Sequence, residues 1–409
     1  MDSESGINAI KVLFVSHMYP RAERTMYGTF VRDHAIALNK CGVKVGVCNP
    51  VQKIIWPLSN LARYRVNKPD LDYKDNLPTV RINWLTFPKR LFESSLRRGA
   101  FRNMIGVVKE MFDGQLPDLI HANDLFPDGF ACVGLAKALS FPLVVTSHGS
   151  DNRVHLKHDF RRSAVLEAAS YATRIICVSD FVRRELIELG LSSDKLVTIH
   201  NGVDLSRVYH GSGVQSIREH YGNRPIILAV GHMVHFVKGF DITLRAFSAL
   251  LNTDPNCQAV VVFIGDGVER LVLQKLTNKL GIGKRVYFEG AKSPEETMKY
   301  MAACDIYCMP SWYEAFGIVY LEAMMHGKAV VAVEGQGISE IIEHLKTGYL
   351  VPPKDVGKTA EALQTLLGNK SLRDLIGQQA NEMVFNNYSW IHTAKKTLEL
   401  YHQILNRVK

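Results

Sequence analysis

Two glutamates, Glu314 and Glu322, stand eight residues apart in the stretch SWYEAFGIVYLEAM. Carboxylates accept hydrogen bonds from hydroxyl groups, so a pair turned into one crevice can hold a polyhydroxylated ligand. Between them, Phe316-Gly317 reads as a loop entering a helix, and the first main-chain N–H groups of that helix would be free to meet an anion such as phosphate. Lys238-Gly239 reads as a second helix start at which a lysine is well placed to meet phosphate. His148, in Ser147-His148-Gly149-Ser150-Asp151, could bond a ligand hydroxyl or turn its backbone carbonyl toward a ligand. Each residue also has a plainer reading. Glu314 is an acid favoured at a helix start by the macrodipole. Glu322 is a solvated helix residue, Lys238 an exposed loop lysine, and His148 the cap of a loop. What favours a site is that all of these positions fall where an apolar run ends.

Those apolar runs are the elements that must position the candidates. Ile10–Ser16 reads as a first buried strand. A loop containing Gly28 follows it, then a helical pattern through Phe30, Val31, His34, Ala35 and Leu38, closed by Gly42 in the manner of a C-cap. Val43–Cys48 is the second strand. The pattern loosens from Val51 to Lys89. Strands are then expected at Leu119–Ala122, Leu143–Thr146, Arg174–Val178 and Leu196–Ile199, with helices near 128–139, 160–172 and 180–189. A second series comprises Pro225–Gly231, Ala259–Gly265, Val286–Glu289, Cys304–Met309 and Ala329–Val333, again alternating with helices. Alternation of this kind predicts parallel α/β sheets, in which ligands bind outside the carboxyl ends of the strands. Gly265-Asp266-Gly267 sits at one such end, a weak signal taken alone. We expect an N-terminal domain over 1–204 and a second over 205–387. An amphipathic helix over 388–409, with Trp390, Ala394, Leu398 and Tyr401 on one side, is expected to cross back to the first domain.

Length and composition agree with two globular domains. The chain has 409 residues, too many for one ordinary core. It is 47% hydrophobic and 22% charged, without a run of the ~20 apolar residues that span a bilayer. The acidic, polar start MDSESGINAI is no secretory signal. Seven scattered cysteines lack a C-x-x-C pair, which argues against a disulfide framework or a zinc site and for thiols in a reducing cytosol. No G-x-G-x-x-G follows the first strand, which argues against an N-terminal dinucleotide domain. The net charge of +9 is concentrated early, with 27 Lys and Arg against 20 Asp and Glu in residues 1–200. Its densest patch runs from Lys89 to Lys109, where six basic residues with interleaved apolar ones face the single acid Glu93. Such a stretch suits an anionic membrane surface or a solvated helix face, and less well a nucleic acid.

In combination these motifs resemble the retaining GT-B glycosyltransferases of family 4, also called group 1. The resemblance is strongest over about 225–352, through Glu314-x7-Glu322, Gly327 and Gly335-Gln336-Gly337-Ile338-Ser339-Glu340. The Gly28 loop, SHGSD, HNGVD at 200–204, Lys238-Gly239 and Gly265-Asp266-Gly267 support it. SHMYP and GTFVRDHAIAL also resemble the branch that builds bacterial surface polysaccharides, including the teichuronic acid enzymes. The resemblance implies a GT-B α/β fold, two facing Rossmann-like doubly wound domains with a cleft between them. It implies transfer of a sugar from a UDP- or GDP-linked donor to a glycan or a polyprenyl or other lipid-linked acceptor, in the cytoplasm or at the inner face of the cell membrane. It further implies that Glu322 holds the ribose and Glu314 the transferred sugar, near the backbone of Phe316 and Gly317. Lys238 and the backbone at Gly28 would neutralise the diphosphate, and His148 would touch the sugar. Neither a cofactor nor a metal is expected, because lysine and helix dipoles take over the metal's role. One position departs from the pattern: His232 stands where many relatives carry an arginine, and a neutral imidazole is the poorer phosphate ligand. Other chemistries on the same fold are a nucleotide-sugar epimerase, a phosphorylase, or a protein that binds nucleotide sugars without catalysis.

Overall fold

The computed structural model describes residues 9–21, 27–54, 71–86, 105–149, 159–234 and 236–408. Contacts divide the chain into two compact units, Met1–His200 with Trp390–Lys409, and Asn201–Ser389.

The first unit is built on an eight-stranded sheet in the order β3-β4-β2-β1-β5-β6-β7-β8. Its strands are β1 (Lys11–Val15), β2 (Lys44–Ile54), β3 (Leu71–Lys74), β4 (Leu77–Thr86), β5 (Leu119–Asn123), β6 (Leu143–Ser147), β7 (Arg174–Cys177) and β8 (Leu196–Thr198). All neighbours pair in parallel except β3 and β4. Helices on its faces bury the central strands completely, so that Val12, Leu13, Phe14 and Val15 are all inaccessible. Burial on both faces explains why β1, β5 and β6 read as unbroken apolar runs rather than alternating ones.

The loosened region after Val51 holds structure that periodicity did not reveal. β2 continues to Ile54, and β3 and β4 form a hairpin on the sheet edge, with β4 parallel to β2 from Val47↔Thr79 to Ile54↔Thr86. The turn is Asp75-Asn76, both with positive φ (55° and 61°). That is the conformation of a tight hairpin turn, here made without the glycine that usually marks it.

The second unit carries a six-stranded, all-parallel sheet ordered β11-β10-β9-β12-β13-β14. Its strands are β9 (Ile226–Val230), β10 (Val260–Ile264), β11 (Val286–Gly290), β12 (Ile306–Cys308), β13 (Ala329–Val333) and β14 (Tyr349–Val351). Five of these were expected. The three-residue β14 is too short to leave a periodic signal. Strand order reverses at the β9–β12 neighbours, which makes the carboxyl ends of those two strands the natural ligand position.

The last helix, Trp390–Val408, belongs to the first unit and packs on the helix Thr29–Lys40. Its polar contacts are buried. Thr397 Oγ1 lies 3.2 Å from His34 Nε2, and Tyr401 Oη 2.5 Å from His121 Nδ1. Trp390 stacks on His34 with ring centroids 5.7 Å apart. The described cysteines form no disulfide, and no described helix is long and apolar enough to cross a membrane.

Candidate functional site

In each unit the first strand leads through a loop to a helix capped by a glycine. Gly28 precedes Thr29–Lys40 with φ 72° and ψ 25°, and Gly239 precedes Phe240–Thr253 with φ 73° and ψ 22°. A Cβ on Gly28 would stand 1.9 Å from the carbonyl oxygen of Met18, and one on Gly239 would stand 2.3 Å from that of Pro310. Both positions therefore need glycine twice, for the left-handed conformation and for the close approach of backbone. Neither helix start has a side-chain cap. Their first N–H groups are left to other partners.

In the second unit the expected residues gather at the carboxyl ends of neighbouring strands. Lys238 ends the loop after β9, and Glu314 lies in the loop after β12. The ammonium Nζ of Lys238 is 2.6 Å from Glu314 Oε2, with side-chain exposures of 26% and 10%. Glu314 is held by its main chain: its N–H donates to Gln336 Oε1 (3.0 Å), and its carbonyl accepts from Gly337 N–H (2.9 Å). Gln336 is a positioning residue that motif reading passed over. It lay inside the recognised Gly335-Gln336-Gly337 turn, where the glycines drew attention instead. Phe316 is buried and Gly317, with φ 92°, starts the helix Ile318–Met324. Glu322 is the fifth residue of that helix and is partly exposed. Its carbonyl oxygen lies 2.7 Å from His326 Nδ1. Gly265 follows β10 and is partly exposed. His232, two residues past β9, is exposed.

In the first unit Gly28 follows β1, and His148 follows β6. His148 Nε2 is 3.3 Å from Asn123 Oδ1, and its ring meets Phe30 edge-on at 4.8 Å. Its Nδ1 is buried without a hydrogen-bond partner among the described residues. Burial first, then the neighbouring imidazoles His34 and His17, push the pKa of His148 down to about 3. The ring is thus neutral at physiological pH. It can exchange one hydrogen bond with a ligand but offers no charge. Ser150 and Asp151, the rest of that motif, lie outside the described residues. So does most of the basic stretch Lys89–Lys109, of which only Ile105–Lys109 is described.

Sequence reading also missed a polar cluster at the same end of the first sheet. Asp128 is fully buried and receives the His17 main-chain N–H on both oxygens (3.1 Å each), with His17 Nδ1 at 2.9 Å. Asp124 accepts from the N–H of His148 at 3.3 Å. Both acids come from the β5 side of the sheet, so linear spacing could not connect them to His17 or His148. Among the described residues no group of three His, Cys, Asp or Glu side chains is placed to hold a metal ion.

Two largely parallel α/β sheets with polar groups massed at their carboxyl ends define a two-unit α/β protein with ligand-binding strand ends, and comparison with known proteins makes the class specific. One family model, Glycosyltransferase Family 4, matches residues 28–207, and another, Glycosyl transferases group 1, matches 215–383. The D-inositol 3-phosphate glycosyltransferase of Nocardia farcinica is 32% identical over 243 residues, covering 57% of this chain. The chain spans about half of that relative, 53% of its length. Among solved structures, sucrose-phosphate synthase from Thermosynechococcus elongatus superposes with a TM-score of 0.76 at 23% identity, covering 97% of this chain and all of that one. Anabaena HepE in complex with UDP and glucose gives 0.73 at 21% identity, covering 96% and 100%. The fold is GT-B, and the chain belongs to the group 1, family 4 glycosyltransferases.

Proposed function

We propose that the protein transfers a sugar from a UDP- or GDP-linked donor to a hydroxyl of a glycan or lipid-linked acceptor, with retention of anomeric configuration. The observation that carries this reading is the Lys238–Glu314 pair, held at the carboxyl ends of the neighbouring strands β9 and β12 with Glu322 on the next helix. An ammonium paired with a carboxylate at these strand ends suits a ligand that has a diphosphate next to a sugar. That the related HepE was crystallised with UDP and with UDP-glucose supports the donor class.

In this reading Glu322 accepts from the ribose hydroxyls and Glu314 from the transferred sugar. Lys238 and the main chain at Phe316 and Gly317 stabilise the charge that grows on the diphosphate as its bond to the anomeric carbon breaks. The acceptor hydroxyl forms the new C–O bond on the same face, and its proton passes to the departing phosphate. Gly265 lets a loop approach the donor. Lysine and helix N-termini supply the electrostatic role that a metal would otherwise take. His232 faces the diphosphate at the position where many relatives carry an arginine.

A panel of nucleotide sugars tested by thermal shift identifies the donor. Lys238→Ala and Glu322→Ala should each abolish transfer with the fold retained, and wild-type turnover in either would remove that residue from the site. The exposed His232 in place of arginine lends some support to a second reading, binding of nucleotide sugar without catalysis. Donor binding with no transfer to any lipid or glycan acceptor would favour it. An epimerase would act on the donor without acceptor, and a phosphorylase would need free phosphate.

We further read the acceptor as lipid-linked, in surface-polysaccharide synthesis, with the Lys89–Lys109 stretch resting on anionic lipid at the inner face of the cell membrane. Sedimentation with anionic liposomes should weaken on changing Arg97, Arg98 and Arg102 to Ser. Unchanged sedimentation would leave that stretch a solvated face.

A further inference from the structure

The loop that delivers Lys238 is gripped at one residue from two sides. Phe236 has φ 50°. A left-handed conformation in a bulky residue is strained and persists only where the surroundings over-determine it. The ring of Phe236 does not supply that restraint, since the residue is 46% exposed. The restraint comes from hydrogen bonds to the backbone. The Phe236 N–H donates to Glu269 Oε1, a close charge-assisted contact. The Phe236 carbonyl accepts from the indole N–H of Trp312 at 2.9 Å. The main-chain N–H of Trp312 donates to the Val237 carbonyl at 3.0 Å, and the hydroxyl of Ser311 to that of Lys238 at 3.3 Å.

Glu269 is itself fixed. It is 2% exposed, its N–H donates to the Met233 carbonyl at 3.1 Å, and the hydrogen-bond partner of its carboxylate is the Phe236 amide. Burying a carboxylate is costly unless it is hydrogen-bonded. A buried acid committed to one backbone amide on the lysine loop therefore has a specific task there. Trp312 sits two residues before Glu314, and the Lys354 ammonium lies over its ring at 4.0 Å. The loop carrying the carboxylate of the ion pair thus also holds the loop carrying its lysine.

We propose that Glu269 and Trp312 are positioning residues for Lys238, acting through the Phe236 backbone to aim the ammonium at the donor diphosphate. The inference rests on the role of Lys238 given above. Without Glu269 or the indole N–H, Phe236 relaxes to negative φ, and the lysine two residues later turns with it.

The test is a double-mutant cycle read as Kd by calorimetry, with UDP and GDP as probes and the tighter one carried forward. Trp312→Phe keeps a ring and removes only the N–H, and Glu269→Ala removes the acceptor. Each should weaken binding roughly tenfold, the value of one hydrogen bond of this kind. Glu269→Gln retains an acceptor oxygen and should stay within about threefold of wild type. In the Lys238→Ala background, Trp312→Phe should have no further effect, because the group it positions is gone. Full additivity in that background, or wild-type affinity of Trp312→Phe, overturns the positioning role and leaves the site reading intact. Wild-type affinity of Lys238→Ala, or no binding of either probe by the unaltered protein, overturns the site reading and the positioning role with it. A purely structural contribution would lower the melting temperature of Glu269→Gln and Glu269→Ala alike without this split in affinity.

Discussion

Lys238 and Glu314 hold each other, so removing one strands the other. Lys238→Ala leaves a carboxylate only 10% exposed without its cation. The expected loss of stability is about 1–2 kcal/mol, reduced from the value for a buried pair because the lysine remains partly solvated. Glu314→Gln in that background should recover part of the loss, since an amide is easier to leave unpaired than a charge. Urea unfolding of the two variants measures both effects, and a double variant less stable than Lys238→Ala would refute the coupling. His232→Arg makes the complementary test. If this exposed side chain meets the diphosphate, a permanently charged fork should preserve or raise turnover, and a large loss of activity would place His232 elsewhere.

At the scale of elements, two devices stand out. The first is the pair of glycine caps. Gly28→Ala and Gly239→Ala combine a left-handed φ with a Cβ placed inside the contact distance of a carbonyl oxygen. Each should cost roughly 2 kcal/mol or more in thermal or urea unfolding, against gains of a few tenths where alanine is compatible. The second is the closure of the last helix on buried histidines. Tyr401 and His121 are both fully buried. Tyr401→Phe would leave His121 Nδ1 without its partner, at a cost of about 1–3 kcal/mol. Burial holds the pKa of His34 down to about 4, and that of His121 well below its ordinary value. Both are neutral in the folded protein, while in the unfolded chain they take up protons below about pH 6.5. Their contribution to stability is therefore complete above pH 6.5 and is lost as the pH falls toward 4. The slope reaches about 1.4 kcal/mol per pH unit for each histidine. His148, whose pKa burial holds down to about 3, acts in the same direction. A urea midpoint unchanged between pH 7.5 and pH 5 would contradict this account.

For the whole molecule, the two units differ in how the chain builds them. Asn201–Ser389 is one continuous segment, whereas the other unit joins residues up to His200 to the helix that begins at Trp390. A fragment of residues 201–389 should therefore fold alone and, if the donor site lies within it, bind a nucleoside diphosphate. Residues 1–200 alone would expose the faces of His34 and His121 that the last helix covers. Circular dichroism and calorimetry on the two fragments would show a cooperative transition for the first and none for the second. A cooperatively folded 1–200 fragment would mean that the last helix is dispensable to its unit.

The linear order of residues already determined a good deal. Apolar runs that are buried on both faces cannot be mistaken for solvent-facing segments, so most central strands, and the glycine turns after them, were legible from composition alone. So was the family, because Glu314-x7-Glu322, Lys238-Gly239 and the Gly335-Gln336-Gly337 turn are local patterns. Tertiary structure alone decided which of these residues touch. Lys238 and Glu314 are 76 positions apart and meet only because β9 and β12 are neighbours in the sheet. The commitment of Glu269 to the Phe236 peptide and of Gln336 to the Glu314 amide has the same origin. The edge hairpin stayed hidden because its turn is Asp75-Asn76 rather than a glycine pair, and His34 read only as one position on a helix face. Periodicity reports which face of an element is buried, since that is a property of neighbours along the chain. The partner met at that face depends on strand order, which no local spacing encodes.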